Sequence, residues 1–298
     1  MAKRNALFKF KENVIERLLQ LCSLLSVFTT AAIVYILFSE SWAFFQEVPL
    51  VEFLTGTDWT PLFMIKKYGI LPLLSGTLLT TVIALAVAVP AGLISAVYLS
   101  EYASSRVRDS VKPCMEVLAA VPTVVYGYFA LLFITPLLKK FIPDLSGFNA
   151  LSAGLIMGVM IIPLVSSLSE DAMHAVPHGL REGSCALGAN RLQTSFRIVF
   201  PAALSGISAA VILAVSRAIG ETMIVAIAAG QQPNLTANPL EPVETITTYI
   251  VQVSLGDTPH GTLEYQTIFV CGLTLFVLTF LLNVASFRLR QRFQEIYE

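Results

Sequence analysis

Charge is scarce in this sequence. Only 13% of the 298 residues are Asp, Glu, Lys or Arg, about half the usual share in a soluble domain. By contrast, 55% of the residues are hydrophobic, and the mean hydropathy is +0.74. A water-soluble fold of this composition would lack polar surface. The net charge of −1 also argues against a nucleic-acid partner, because such proteins carry basic patches.

Signatures of bound cofactors are missing as well. The four cysteines form neither a CxxC pair nor a spacing that suits a metal site. His174 and His178 lie near Asp171, but Pro177 interrupts the helix that would align the two imidazoles. The sequence has no G-x4-G-K-[ST] phosphate-binding loop and no polar stretch long enough for a nucleotide-binding domain. We therefore predict that the chain itself binds no metal or cofactor and is not an enzyme.

Long runs without charge are what the sequence has instead. A membrane-spanning helix needs about 20 apolar residues. The runs predict an all-α integral membrane protein with six transmembrane helices, near residues 18–39, 69–99, 114–138, 147–169, 201–229 and 265–287. The first run is longer than the apolar core of a secretory signal, so we expect it to be an uncleaved span. Glu116 is expected in the first turn of the third span, where the helix dipole favours a carboxylate.

Basic residues are distributed unevenly between the two sides of the predicted spans. Most of them lie before the first span, after the last one, and in segments 100–112 and 170–199. Segments 40–67 and 231–264 are long but hold few or none. The positive-inside rule then predicts that both termini are cytoplasmic and that these two loops are on the outside. Trp42 and Trp59, near the two ends of loop 40–67, suggest a segment lying along the membrane surface.

The cytoplasmic segment 170–200 carries a recognisable motif. Glu182-Gly183-Ser184, three residues, Gly188, nine residues and Ile198-Val199-Phe200-Pro201 resemble the E-A-A-x3-G-x9-I-x-L-P signature of ABC-importer permeases. Gly188 is placed where a short helix ends with positive φ. The resemblance implies a type I ABC importer permease fold, in which this segment is a coupling helix seated on a separate ATP-binding subunit. The residues that would make the coupling contact are Glu182, Gly183, Ser184, Ala186, Leu187 and Gly188.

The fifth predicted span holds two charges, in the stretch SRAIGET at residues 216–222. A charge at the bilayer centre costs about 2.5–3.5 kcal/mol on the insertion scale, so it needs a reason. A continuous helix would place Glu221 one turn beyond Arg217 on the same face. The pair could simply neutralise itself and lock helices together. Alternatively, the planar guanidinium fork could bind a tetrahedral oxyanion, with Glu221 and Thr222 in the same pathway.

Five segments in order resemble a narrower family, the C-type permeases of the bacterial phosphate-specific transport (Pst) system. They are FLTGTDWTP (53–61), PAGLISAVYLSEYAS (90–104), VPTVVYGYFAL (121–131), LREGSCALGANRLQT (180–194) and RAIGETMIVAIAAG (217–230). The resemblance implies one permease domain over 1–298, with its core at about 69–287 and periplasmic loops at 40–67 and 231–264. It also implies a bacterial inner-membrane location and a heterodimer with an A-type permease, surrounded by lipid. Two ATP-binding subunits would use ATP and Mg, and a periplasmic phosphate-binding protein would deliver phosphate.

Other functions remain open from the residues alone. Sulfate, molybdate or phosphonate are alternative substrates of the same class of importer. An ion-coupled secondary transporter would need its own coupling-ion site, typically in an internally repeated fold, and no convincing repeat of SRAIGET is found. A membrane-embedded scaffold or sensor is the third possibility, since the coupling motif predicts an ATPase partner but not flux.

Overall fold

The computed structural model describes residues 2–293, with side chains described for residues 12–288. Six of the basic residues on which the predicted orientation depends lie outside the described side chains: Lys3, Arg4, Lys9, Lys11, Arg290 and Arg292. Within this range the chain is helical. It has two isolated β-bridges, and none of the described residues forms a β-strand. The α-helices are α1 Ala2–Glu47, α2 Leu50–Thr55, α3 Leu71–Val97, α4 Ser105–Ala120, α5 Thr123–Phe129, α6 Thr135–Lys139, α7 Ala150–His174, α8 His178–Ala186, α9 Arg191–Thr194, α10 Phe200–Ala202, α11 Leu204–Ile219, α12 Met223–Ala228, α13 Ile246–Leu255 and α14 Leu263–Phe293. Three π-helical turns, Tyr98–Tyr102, Ala130–Ile134 and Ser195–Val199, continue α3, α5 and α9.

Four helical segments are long and apolar enough to cross a membrane. They are Glu12–Glu47, Leu71–Tyr102, Ala150–His174 and Leu263–Arg288. Two further spans would each be a bent pair of helices, Ser105–Ala120 with Thr123–Lys139 and Arg191–Ala202 with Leu204–Ile219. The described chain therefore has between four and six candidate spans, and the predicted number of six is the upper limit of this range.

The third predicted span is not one straight helix. α4 begins well before residue 114 and ends at Ala120, and the chain then bends by 85°. Val121 is extended, with ψ 130°, and Pro122 follows it; a proline disfavours helical conformation in the residue before it. This start also corrects the prediction for Glu116, which lies near the C-terminal end of α4 rather than in a first turn.

The fifth predicted span, 201–229, is also broken. A 71° bend separates residues 191–202 from α11, and Ala203 at the bend has φ −86° and ψ 1°. A second interruption at 220–222 separates α11 from the short helix α12. The SRAIGET stretch therefore lies across a helix end, and the prediction of one continuous helix through it is wrong.

α3 and α7 form the centre of the molecule. Their axes approach closely at two glycines of α7, which have no side chain. A Cβ on Gly158 would lie 2.7 Å from the carbonyl oxygen of Ala84, and one on Gly154 would lie 2.7 Å from Ile83. Small residues at such contacts are typical of membrane helices, where packing rather than water exclusion drives association. α11 and α12 pack on the same core. The central pair thus provides a rigid support for the broken segment at SRAIGET.

Segment 40–67 folds back on the helices. Trp59 is 1% exposed and packs edge-on against Tyr249 of α13, with ring centroids 5.0 Å apart, whereas Trp42 is 71% exposed. The Trp59 side chain is therefore buried against the protein, whereas that of Trp42 is not. The apolar side chains of α13 account for the difference, since Tyr249 and Val253 form a buried cluster with this segment.

Candidate functional site

The break in SRAIGET is held by the backbone as much as by side chains. α11 ends at Ile219, Gly220 caps it, and Thr222 has φ −116° and ψ −55° before α12 begins. Glu221 is only 8% exposed, and its Oε1 accepts hydrogen bonds from the backbone N–H groups of Met223 at 3.2 Å and Ile224 at 3.4 Å. A carboxylate in this position satisfies amides that a helix start leaves unpaired. Glu221 therefore caps α12. The prediction that it lies on the helix face that carries Arg217 is wrong.

α13 secures the same break from the other side. The Thr247 hydroxyl donates to the backbone carbonyl oxygen of Glu221 at 2.8 Å. Thr222 is partly buried, and its hydroxyl lies 3.4 Å from the carbonyl oxygen of Gly220. The Thr247 bond connects the turn to segment 231–264, which the sequence had assigned only to a loop.

The Arg217 guanidinium contacts α7. Its Nη2 lies 3.9 Å from the sulfur of Met160, which is a weak acceptor. None of the ion pairs among side chains 12–288 includes Arg217. The self-neutralising pair with Glu221, one of the two alternatives that the sequence left open, therefore does not form, and among the described residues the only hydrogen-bond partner of the guanidinium is the Met160 sulfur.

A cavity of about 200 Å³ lies in front of Arg217. This is several times the ~30 Å³ that one water molecule occupies in the liquid. The wall comes from the end of α3, from α4, α7 and α11. It is mostly apolar, and its charged or hydroxyl-bearing residues are Lys112, Glu116, Ser167 and Arg217. The cavity thus brings two cationic side chains and one carboxylate, that of Glu116, to one space.

A second group of charges joins α4 to the end of α7, and the sequence analysis missed it as a unit. Glu170 is fully buried, and its carboxylate lies between Arg108 and Lys112, which both pair with it. Lys112 also lies 3.1 Å from the exposed Asp171, and Arg108 lies 3.0 Å from Nδ1 of His174. Asp171 and His174 are thus engaged by α4. No group of metal-binding side chains occurs in the described residues.

The coupling segment has the local structure that its sequence predicts. α8 ends at Ala186, and Gly188 has φ +85°, which confirms the predicted turn. Glu182, Gly183 and Ala186 are exposed, and Leu187 is 91% exposed. Ser184 instead faces inwards, and its hydroxyl is 2.9 Å from that of Thr194. The segment therefore presents an outer face while Ser184 fixes its inner face to α9.

Arg181 anchors α8 to the membrane-spanning helices, which the sequence did not reveal. Its guanidinium donates to the Glu101 carboxylate at 2.8 Å and to the carbonyl oxygens of Met173 at 2.8 Å and Val176 at 2.6 Å. Glu101 belongs to the π-helical turn that ends the α3 span. Arg181 thereby links α8 to the turn that ends the α3 span and to the end of α7.

Comparisons with known proteins identify the family of the chain. Residues 88–295 match the family described as "Binding-protein-dependent transport system inner membrane component". The probable ABC transporter permease protein YqgH of Bacillus subtilis (strain 168) is 34% identical over 262 residues, which cover 87% of this chain and 84% of that protein. The phosphate transport system permease protein PstC of Xylella fastidiosa (strain 9a5c) is 32% identical over 281 residues, which cover 87% of this chain and 85% of that protein.

A solved structure supports the fold independently. A chain from a bacterial ABC transporter involved in the import of the acidic polysaccharide alginate superposes with a TM-score of 0.58 and 14% identity, over 90% of this chain and 98% of that one. At this identity the likeness shows the fold alone, the permease fold of a type I ABC importer. The family match and the relatives confirm the resemblance seen in the sequence: the chain belongs to the family of binding-protein-dependent transport system inner membrane components, the permease subunits of ABC transporters.

Proposed function

We propose that this chain is a permease subunit of an ATP-driven phosphate importer. With a partner permease it forms the path by which inorganic phosphate crosses the bacterial cytoplasmic membrane. The PstC relative and the five segments similar to C-type Pst permeases support this substrate. The observation that carries the proposal is the unpaired guanidinium of Arg217, which lines a cavity together with Lys112.

The chemistry of the cavity suits an oxyanion. Guanidinium donates hydrogen bonds in a planar fork that matches two oxygens of a tetrahedral anion. Apolar walls strengthen such bonds, because the effective dielectric constant is lower than in water. In this proposal Glu221 and Thr222 also belong to the pathway. Their role is to form the break after Arg217, which fixes where α11 ends.

The proposed topology has six spans, each bent helix pair being one span, with both termini in the cytoplasm. The uneven distribution of basic residues supports this orientation. The coupling segment 170–200 then faces the cytoplasm, and segments 40–67 and 231–264 face the periplasm. These two segments would meet the periplasmic phosphate-binding protein.

Energy would come from partner subunits. Two ATP-binding subunits hydrolyse ATP with Mg. One of them meets the exposed residues of α8 and of the turn after it, with Ser184 holding the segment from inside; the exposed residues are Glu182, Gly183, Ala186, Leu187 and Gly188. The second permease is of the A type. The chain itself holds no cofactor in this proposal, and lipid surrounds the assembled heterodimer.

Uptake of labelled phosphate by proteoliposomes that contain the assembled complex tests the proposal. We expect ATP-dependent uptake by the wild type, none by Arg217→Ala, and wild-type uptake by Arg106→Ala, which changes an exposed arginine of α4 outside the cavity. Co-purification of the ATP-binding subunits with Arg217→Ala is the assembly control. Equal uptake by Arg217→Ala and the wild type would remove Arg217 from the pathway.

Other outcomes of the same uptake assay would indicate one of the alternative functions. If excess sulfate, molybdate or phosphonate abolishes uptake and is itself carried faster, the substrate is that anion. Uptake that continues without ATP would indicate a secondary transporter. A correctly assembled complex that carries no anion at all would favour a scaffold or sensor.

A further inference from the structure

Lys112 belongs to two groupings at once. Its ammonium pairs with Glu170 and Asp171 near the end of α7, and its side chain also lines the cavity of Arg217. Arg217 contacts the same helix at Met160. Met160 and Glu170 are ten positions apart, which corresponds to about 15 Å along a helix. Lys112 therefore lies further along α7 than Arg217, towards the end that leads into α8.

Lys112 can leave its carboxylate partners at little cost. Arg108 also pairs with the buried Glu170, so the carboxylate keeps a cationic partner if Lys112 moves. The second partner, Asp171, is exposed, and exposed pairs contribute little stability. A lysine also has a flexible four-carbon stem and three rotatable donors, which let it exchange partners without movement of the backbone.

We infer that Lys112 is a second anion-binding side chain of the translocation path, one that receives the oxyanion from Arg217 on its way towards the α8 end. This inference rests on the proposed function. Glu170 and Asp171 hold the ammonium while the cavity is empty, and the entering anion competes with them. Two cationic positions in sequence keep an anion bound at each step, while the carboxylates at the second position favour its release.

Uptake kinetics of four variants test the assignment. We expect Lys112→Gln to lower kcat/KM for phosphate uptake by about tenfold, the loss of one charge-assisted hydrogen bond. Lys112→Arg should stay close to the wild type. Arg106→Gln, an exposed charge of the same helix, should be unchanged.

The double variant Lys112→Gln/Asp171→Asn separates binding from structure. It retains the Arg108–Glu170 pair and, by removing Asp171, one of the two carboxylates that pair with Lys112, it restores the net charge of the cluster. If Lys112 binds the anion, the double variant stays as impaired as Lys112→Gln. If Lys112 only balances charge, uptake recovers, and the inference is overturned.

A chemical measurement gives a second readout. Phosphate should slow acylation of Lys112 in the purified complex, followed by mass spectrometry, while Lys139, which lies outside the cavity, reacts at an unchanged rate. No protection of Lys112, or normal uptake by Lys112→Gln, would overturn the inference while wild-type phosphate uptake leaves the proposed function intact. A wild type that carries no phosphate would instead refute the proposed function, and this inference with it.

Discussion

Glu244 provides a pH-dependent test of the packing around the SRAIGET break. It lies between α12 and α13, outside the membrane-spanning segments, and is only 2% exposed. Among the described residues its Oε1 has no hydrogen-bond partner, and the two ionisable groups that interact with it, Tyr249 and Cys271, carry no positive charge. Burial without a compensating cation raises the pKa of Glu244 from 4.5 to about 8. The folded chain thus keeps this carboxyl protonated at neutral pH.

The sign and size of the effect follow from this shift. Unfolding exposes the carboxyl, which then releases its proton above its ordinary pKa of 4.5. The folded state therefore binds more protons between pH 4.5 and about 8, and its stability decreases as pH rises through this range. A shift of this size corresponds to on the order of 4–5 kcal/mol as an upper limit. The contribution is complete below the unfolded pKa and is lost above the folded one.

The substitution Glu244→Gln removes the ionisation and keeps the shape of the side chain. We expect the Tm of the wild-type complex to fall by several degrees more than that of Glu244→Gln between about pH 5 and about pH 9, because one kcal/mol shifts Tm by about 2–4 °C in chains of moderate length. Glu52→Gln, which changes an exposed carboxylate of α2, is the matched control and should follow the wild type. Parallel pH profiles of wild type and Glu244→Gln would refute the argument that this carboxyl is buried and uncharged.

Two further predictions concern the coupling segment. Arg181→Ala removes the bonds to Glu101 and to the end of α7, so we expect fewer phosphate ions carried per ATP hydrolysed, by about tenfold; an unchanged ratio of transport to hydrolysis would exclude this linkage. Glu182→Lys reverses an exposed charge on α8, and we expect it to weaken attachment of the ATP-binding subunits; co-purification at the wild-type ratio would count against the coupling role.

The sequence predicted the elements of this fold better than their continuity. Charge-free runs locate helices because a backbone in lipid must satisfy its own hydrogen bonds. The same runs do not show whether a proline bends a helix or ends it. Pro122 ends one, since Val121 before it is extended. The turn at Gly188 was predictable, because it depends on local conformation and the motif spacing.

The side-chain clusters depended on tertiary placement. Arg108 and Glu170 are 62 residues apart, and no spacing rule joins them. Lys112 looked like an ordinary cytoplasmic charge, and only the packing of α4 against α7 brings it to the cavity. Glu221 was misplaced for a different reason: the helical period was extended across Gly220, where α11 ends.

The correction at Glu221 strengthens the assignment of Arg217. In a continuous helix the carboxylate would have offered the guanidinium a partner one turn away, and a closed ion pair has few donors left for a ligand. In the structure Glu221 is occupied by the amides of α12, whereas Arg108 and Arg181 are paired with Glu170 and Glu101. Among the paired arginines, each joins two helices and has a structural explanation. Arg217 forms no ion pair within the described side chains and lines a cavity, as the proposed role in anion binding requires.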